Sequence, residues 1–111
     1  MDDFTPTLLP DGTAHVPLVF HRGEAPEGSA AIDQWDLASL QARGITFPWF
    51  FSTATQRVLA KNAEGREIPV SAMIMRPYRG MTVSHKDGDN TNLIRSNLLI
   101  CPIVEEFDAN G

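Results

Sequence analysis

The sequence is short of the features that several classes of protein require. It holds a single cysteine, Cys101, so it cannot form an internal disulfide, which fits a reducing cytosol. No apolar run approaches the roughly 18 residues that a membrane span needs. The first residues, Met1, Asp2 and Asp3, are acidic where a secretory signal requires positive charge. These features predict a cytoplasmic protein without a membrane partner.

Basic residues are also scarce. Nine lysines and arginines face fourteen acidic residues, which gives a formal net charge of −5. Proteins that bind duplex DNA gain most of their affinity from basic side chains that neutralise phosphates. The charge balance therefore disfavours tight DNA binding, although most basic residues lie in the second half of the chain: Arg57, Lys61, Arg66, Arg76, Arg79, Lys86 and Arg95.

What is present is the composition of one folded domain. The apolar fraction of 42% over 111 residues is enough for an ordinary small core. Residues 1–13 are rich in turn residues and predict an N-terminal arm, and residues 14–111 form a single domain. Residues 15–20 combine β-forming side chains with Pro17, which predicts an edge strand, and residues 22–30 predict a loop.

Local signals place one helix and several strands in this domain. Asp33 is a candidate N-cap for a helix over residues 34–43, and Gly44 is its expected stop. A hairpin follows, with strands over residues 45–52 and 56–61. After it come a third strand over residues 66–70, a second short helix over residues 71–75 and a further strand over residues 81–85. The expected fold is a small α+β domain of short antiparallel strands with one or two short helices.

The most informative stretch is residues 83–101, which read VSHKDGDNTNLIRSNLLIC. A lone histidine, His85, ends an apolar run, an Asp-Gly-Asp-Asn turn follows, and Arg-Ser-Asn-Leu-Leu-Ile leads back into an apolar run. This stretch resembles the core of the HNH nuclease family, in the form common in phage and homing endonucleases. Upstream pieces follow the family's order and extend the likeness over residues 15–101: Val16-Pro17-Leu18, Ala31-Ile32-Asp33, Trp49, Ile74-Met75 and Gly80.

The resemblance implies a role for several residues. It implies that residues 83–101 form a degenerate ββα-metal hairpin. His85 falls on the general base, a role that a neutral imidazole can perform near pH 7. Asn97 falls on the asparagine that holds the core loop, and the turn itself matches at Asp87, Gly88 and Asp89.

Two sets of charged residues are candidate binding surfaces. Arg95 matches a loop arginine suited to phosphate contact, and with Arg79 and Lys86 it would line one groove if DNA is bound. Glu105 and Glu106 belong to an acidic C-terminal segment that would instead dock on a protein.

The departures from the family pattern cluster on its catalytic side. Ser84 stands where the family has a metal-binding aspartate, and a hydroxyl is a far poorer Mg²⁺ ligand than a carboxylate. Leu93 stands where the loop has a polar residue, and Ser71 replaces a histidine. Pro102 follows Cys101 where the family continues into a ligand-bearing helix. We therefore expect no metal and no other cofactor, and a divalent ion only if the chain is an active endonuclease.

Three functions fit this combination. The favoured one is a phage or mobile-element protein that derives from an HNH nuclease, has lost catalysis and acts by binding in the host cytoplasm. Its target would be a host or phage protein complex, such as a CRISPR-type effector that it inhibits by occupying basic nucleic-acid channels. The alternatives are an HNH endonuclease or nicking enzyme whose metal site another chain completes, and a phage structural or assembly scaffold.

Overall fold

A computed structural model of the chain describes residues 4–21 and 26–103. The elements follow in the order β1 (Thr7–Leu8), β2 (Thr13–Val19), β3 (Ser29–Asp33), α1 (Gln34–Ala42), β4 (Thr46–Ser52), β5 (Arg57–Lys61), β6 (Glu67–Pro69), α2 (Val70–Met75), β7 (Met81–His85), a 3₁₀ turn (Arg95–Asn97) and β8 (Leu98–Pro102). The predicted α+β class is confirmed.

Strand β2 is central to the larger sheet, so the prediction of an edge strand over residues 15–20 is wrong. It pairs antiparallel with β1 and β3 and parallel with β4, which makes the sheet mixed, not purely antiparallel. The Leu18 amide donates to the Gly28 carbonyl on the β3 side at 3.2 Å. Successive amides of a strand point to opposite edges, so an amide at residue 17 would point away from β3. At that other edge, β1 pairs only as far as His15 and β4 pairs only from Leu18. Pro17, which has no N–H, therefore lies between the two pairings.

Two strands lie where the sequence indicates none. Strand β3 overlaps the end of the predicted loop, and its Ala30 and Ile32 are fully buried between less buried neighbours. Strand β1 lies inside the predicted N-terminal arm and pairs Thr7 with His15 and Leu8 with Ala14. The residues before β2 thus add to the sheet.

The remaining elements lie where the local signals place them. Helix α1 begins after Asp33 and buries Leu37 and Leu40, and Gly44 follows its end with a φ of 87°. The predicted hairpin is β4 paired with β5, and β6 and the short helix α2 follow.

A second sheet, formed by β7 and β8, shares the core of the first. Val83, Leu93 and Leu98 belong to the same buried cluster as Trp49 and Ile32 of the larger sheet. The hairpin that carries His85 is therefore packed onto the domain, and its position is fixed by the core.

Candidate functional site

Strands β7 and β8 hold His85 at the end of a regular antiparallel ladder. His85 pairs with Leu98, and Val83 pairs with Ile100. Because side chains alternate along a strand, His85 points to the same side as the buried Val83. Residues 86–97 join the two strands as a long loop, and the His85 carbonyl accepts the Gly88 amide at 3.0 Å to start its turn.

Asn97 closes this loop at its base. Its Oδ1 accepts the Asp87 backbone amide at 3.1 Å, and its Nδ2 donates to Asp87 Oδ1 and to the Asn92 carbonyl, both at 3.0 Å. The Asn97 carbonyl also accepts the Lys86 amide at 2.8 Å. One side chain thus joins the beginning, middle and end of the loop.

The two loop carboxylates are engaged inside the loop. Asp87 accepts the Asp89 amide at 2.8 Å and the Asn92 side-chain amide at 2.9 Å. These hydrogen bonds, with the Asn92 contact the strongest, lower the pKa of Asp87 and keep it ionised. Asp89 Oδ1 accepts both the backbone amide and the hydroxyl of Thr91, at 2.9 and 2.7 Å. Gly88 supplies the left-handed φ of 78° that this turn needs.

The far side of the loop is joined to the larger sheet. The Ala31 amide donates to the Thr91 carbonyl at 2.9 Å, and the Leu93 amide donates to the Ala31 carbonyl at 2.7 Å. The Leu93 side chain is only 1% exposed. An apolar residue at this loop position therefore has a structural reason, since it anchors the loop in the core.

His85 opens onto a cleft of about 280 Å³ between this loop and the β4–β5 turn. Its lining residues are Thr55, Gln56, Arg57, Val83, Ser84, His85 and Asn90. Within the described part of the chain, the buried Nε2 of His85 has no hydrogen-bond partner. Burial lowers the pKa of His85 and the charge of Arg57 lowers it further, against the opposing charges of Asp87 and Asp89. The imidazole is therefore neutral near pH 7.

The opposite wall of the cleft comes from the β4–β5 turn, which carries no recognisable sequence motif. Arg57 Nη2 donates to the Thr82 hydroxyl at 3.1 Å, which holds the guanidinium beside β7. Gln56 has a φ of 57°, rare for a residue other than glycine, and its carbonyl accepts Asn90 Nδ2 at 2.7 Å. This hydrogen bond joins the two walls of the cleft.

The resemblance to HNH nucleases predicts a metal-binding position at residue 84, and the serine there carries no charge. Ser84 is exposed, and its Oγ accepts the Cys101 thiol at 3.6 Å. Among residues 4–21 and 26–103, no three histidine, cysteine, aspartate or glutamate side chains lie together as a possible metal site. The cleft offers a neutral imidazole and a guanidinium, and its lining residues include no carboxylate.

Of the predicted binding residues, none of Arg79, Lys86 and Arg95 lines the His85 cleft. The Arg95 guanidinium forms a fork with the buried Asp36 carboxylate, through Nη2 at 2.6 Å and Nε at 3.3 Å, and these bonds raise the pKa of Arg95. Its backbone amide donates to Asp33 Oδ2 at 2.9 Å. Arg79 is exposed before β7, and Lys86 is exposed at the start of the loop. The predicted docking residues, Glu105 and Glu106, lie outside the described residues.

No protein-family model, curated protein or solved structure matches the chain. The likeness to HNH nucleases therefore depends on the residues quoted above. In the described ranges, no helix is long and apolar enough to cross a membrane.

Proposed function

We propose that the protein acts by binding a macromolecular partner in the cytoplasm and does not hydrolyse nucleic acid. In this proposal, β7, β8 and their loop are the remnant of an HNH hairpin that serves as a rigid binding surface. The observation that carries the proposal is the use of the loop carboxylates. Both oxygens of Asp87 and Oδ1 of Asp89 accept hydrogen bonds within the loop, while Ser84 occupies the ligand position.

The chemistry of phosphodiester hydrolysis supports this proposal. A single-metal nuclease needs an ion that polarises the phosphate and a base that activates water. Mg²⁺ is held by oxygen ligands, above all carboxylates. The His85 cleft retains a candidate base, but its lining residues offer hydroxyl and amide oxygens, such as that of Ser84, and no carboxylate. Without an anchored metal, His85 has no polarised phosphate to act on.

A protein target fits the charge of the chain better than duplex DNA does. The net charge of −5 opposes approach to a phosphate backbone. Arg95, the loop arginine expected to contact phosphate, forms an ion pair with Asp36. We infer that the partner is a host or phage protein complex with a basic surface, and a nucleic-acid-processing or CRISPR-type defence complex has such surfaces.

One observation favours a second candidate function, a metal-dependent nicking enzyme. His85 and Arg57 line the same cleft, a combination that a general base and a phosphate-binding residue would have. In that case another chain would have to supply the carboxylate ligands.

Binding measurements separate the two kinds of partner. We expect weak or no binding of duplex DNA at physiological salt, measured by fluorescence anisotropy. A pull-down from host lysate should recover a specific protein complex. Recovery should fall in the double variant Glu105→Gln, Glu106→Gln and stay unchanged in the control Glu64→Gln, which removes acidic charge elsewhere. Tight DNA binding that weakens with salt by about 0.9 log units per phosphate contact and is abolished by Arg57→Ala would overturn the protein-partner proposal.

A further inference from the structure

A second cavity, of about 340 Å³, lies between α1, α2 and the 3₁₀ turn. Three arginines and one aspartate contribute its charged groups: Arg43, Arg76, Arg95 and Asp36. None of its lining residues belongs to the His85 cleft, so the cavity is a separate site and does not depend on the function proposed above. Its charged groups carry a net charge of +2 in a chain whose net charge is −5. The lining therefore favours an anion over a cation as the ligand of this cavity.

Two of the three guanidinium groups are fixed before any ligand arrives. Arg43, which follows α1, donates from Nη2 to the Met73 carbonyl of α2 at 3.0 Å. Arg95 is held by its fork with Asp36, whose side chain is 7% exposed while that of Arg95 is 55% exposed. An arginine has five N–H donors, so each of these residues keeps donors for a ligand. Fixed donors lose little conformational entropy on binding.

The third arginine occupies a backbone conformation that disfavours it. Arg76 ends α2 with φ 49° and ψ 62°, a left-handed conformation in which helices usually place glycine or asparagine. It also precedes Pro77, and residues before proline prefer extended conformations. Among residues 4–21 and 26–103, no hydrogen bond or ion pair that stabilises the fold involves its guanidinium group. Strained residues of this kind cluster at ligand sites, and here the strain places a cation at the cavity.

An exposed aromatic side chain adjoins the cavity. Trp35 is 84% exposed on α1, one turn before Ser39. Ser39 lines the arginine cavity and also the shallow apolar surface that Trp35 and Ala38 form. The aromatic surface and the arginine cavity therefore meet at Ser39.

We propose that this cavity binds the phosphate group of a nucleotide, with the base stacked on Trp35. A terminal phosphate carries a charge of about −1.5 to −2 and three acceptor oxygens, which suits three converging guanidinium groups better than a carboxylate does. Stacking on an exposed tryptophan accepts any base. The nucleotide is either a free monophosphate or the 5′-phosphorylated end of a strand, since the two share this chemistry.

Titration of the full-length protein with adenosine monophosphate tests the proposal. Trp49 is 1% exposed, so quenching of tryptophan fluorescence reports on Trp35, and calorimetry gives the affinity. The monophosphate should bind more tightly than either inorganic phosphate or adenosine. Arg76→Gly should weaken binding by about tenfold or more, because it removes a charge-assisted contact. The same variant should leave the melting temperature unchanged or raise it, because glycine adopts the left-handed conformation freely.

The control is Arg66→Ala, which removes an exposed arginine from the β5–β6 turn and should leave the affinity unchanged. The nucleotide assignment is overturned if inorganic phosphate binds as tightly as the monophosphate, or if nothing binds. Equal weakening by Arg66→Ala and Arg76→Gly would also overturn it, since the effect would then come from overall charge. Tighter binding of a 5′-phosphorylated oligonucleotide than of its unphosphorylated form and of the monophosphate assigns the site to a strand end. Tighter binding of the monophosphate than of the 5′-phosphorylated oligonucleotide assigns the site to the free nucleotide.

Discussion

Replacing Leu93 by asparagine, a polar residue of the kind the family has in this loop, is expected to destabilise the domain by about 4 kcal/mol. Leu93 is 1% exposed, so the change removes buried apolar surface and leaves a polar side chain in the core. It also weakens the attachment of the loop to β3, which depends on the backbone bonds of Ala31. Urea denaturation of the variant and the parent measures this difference.

Leu99→Asn is the matched control for Leu93→Asn. Leu99 lies in the same hairpin but is 48% exposed, so the identical change should alter the stability by no more than about 0.5 kcal/mol. Equal effects at the two positions would contradict the burial of Leu93. The loop would then be attached to the domain by hydrogen bonds alone.

The second large effect is expected at Asn97. Replacing it by alanine should cost about 2 kcal/mol of folding free energy, because the Asp87 amide and the Asn92 carbonyl lose their partner together. The Asp87 carboxylate also accepts the Asp89 amide and the Asn92 side-chain amide, and these two hydrogen bonds depend on the loop conformation that Asn97 holds. Thermal or chemical denaturation measures the loss.

His85→Ala provides the comparison within the same hairpin. The imidazole makes no hydrogen bond through its buried Nε2 among the described residues, so its removal should cost less than about 1 kcal/mol. A larger loss for His85→Ala than for Asn97→Ala would show that the histidine stabilises the loop and the asparagine does not. The assignment of both motif positions would then be wrong.

Local signals in the sequence predict the elements that form locally. Helix α1, the β4–β5 hairpin, β6, α2 and β7 each carry their own start and stop residues, such as Gly44 after α1. Strand β3 carries no clear local signal, because its two buried residues are an alanine and an isoleucine in a short, weakly patterned segment. The parallel pairing of β2 with β4 has no local signal either, because it depends on which segments meet across the chain.

The candidate site divides in the same way. His85, Asn97 and the carboxylates of the turn stand at fixed spacing in one motif, so the sequence singles them out. Gln56 and Arg57 reach the cleft from the β4–β5 turn and the start of β5, and Asn90 reaches it from the loop between β7 and β8, so only the folded chain brings them together. The arginine cavity has no sequence motif for the same reason. Its arginines come from three separate segments: Arg43 follows α1, Arg76 follows α2 and Arg95 lies in the 3₁₀ turn. No local pattern announces a left-handed arginine or glutamine.

A hairpin that binds a partner and does not cleave should leave DNA intact. The most direct test is nicking of supercoiled plasmid DNA by an excess of the purified protein with Mg²⁺, Mn²⁺, Ni²⁺ or Zn²⁺ in turn. We expect no nicked product with any ion, and no difference between the parent protein and His85→Ala. Metal-dependent nicking that disappears in His85→Ala would contradict the account and establish the endonuclease.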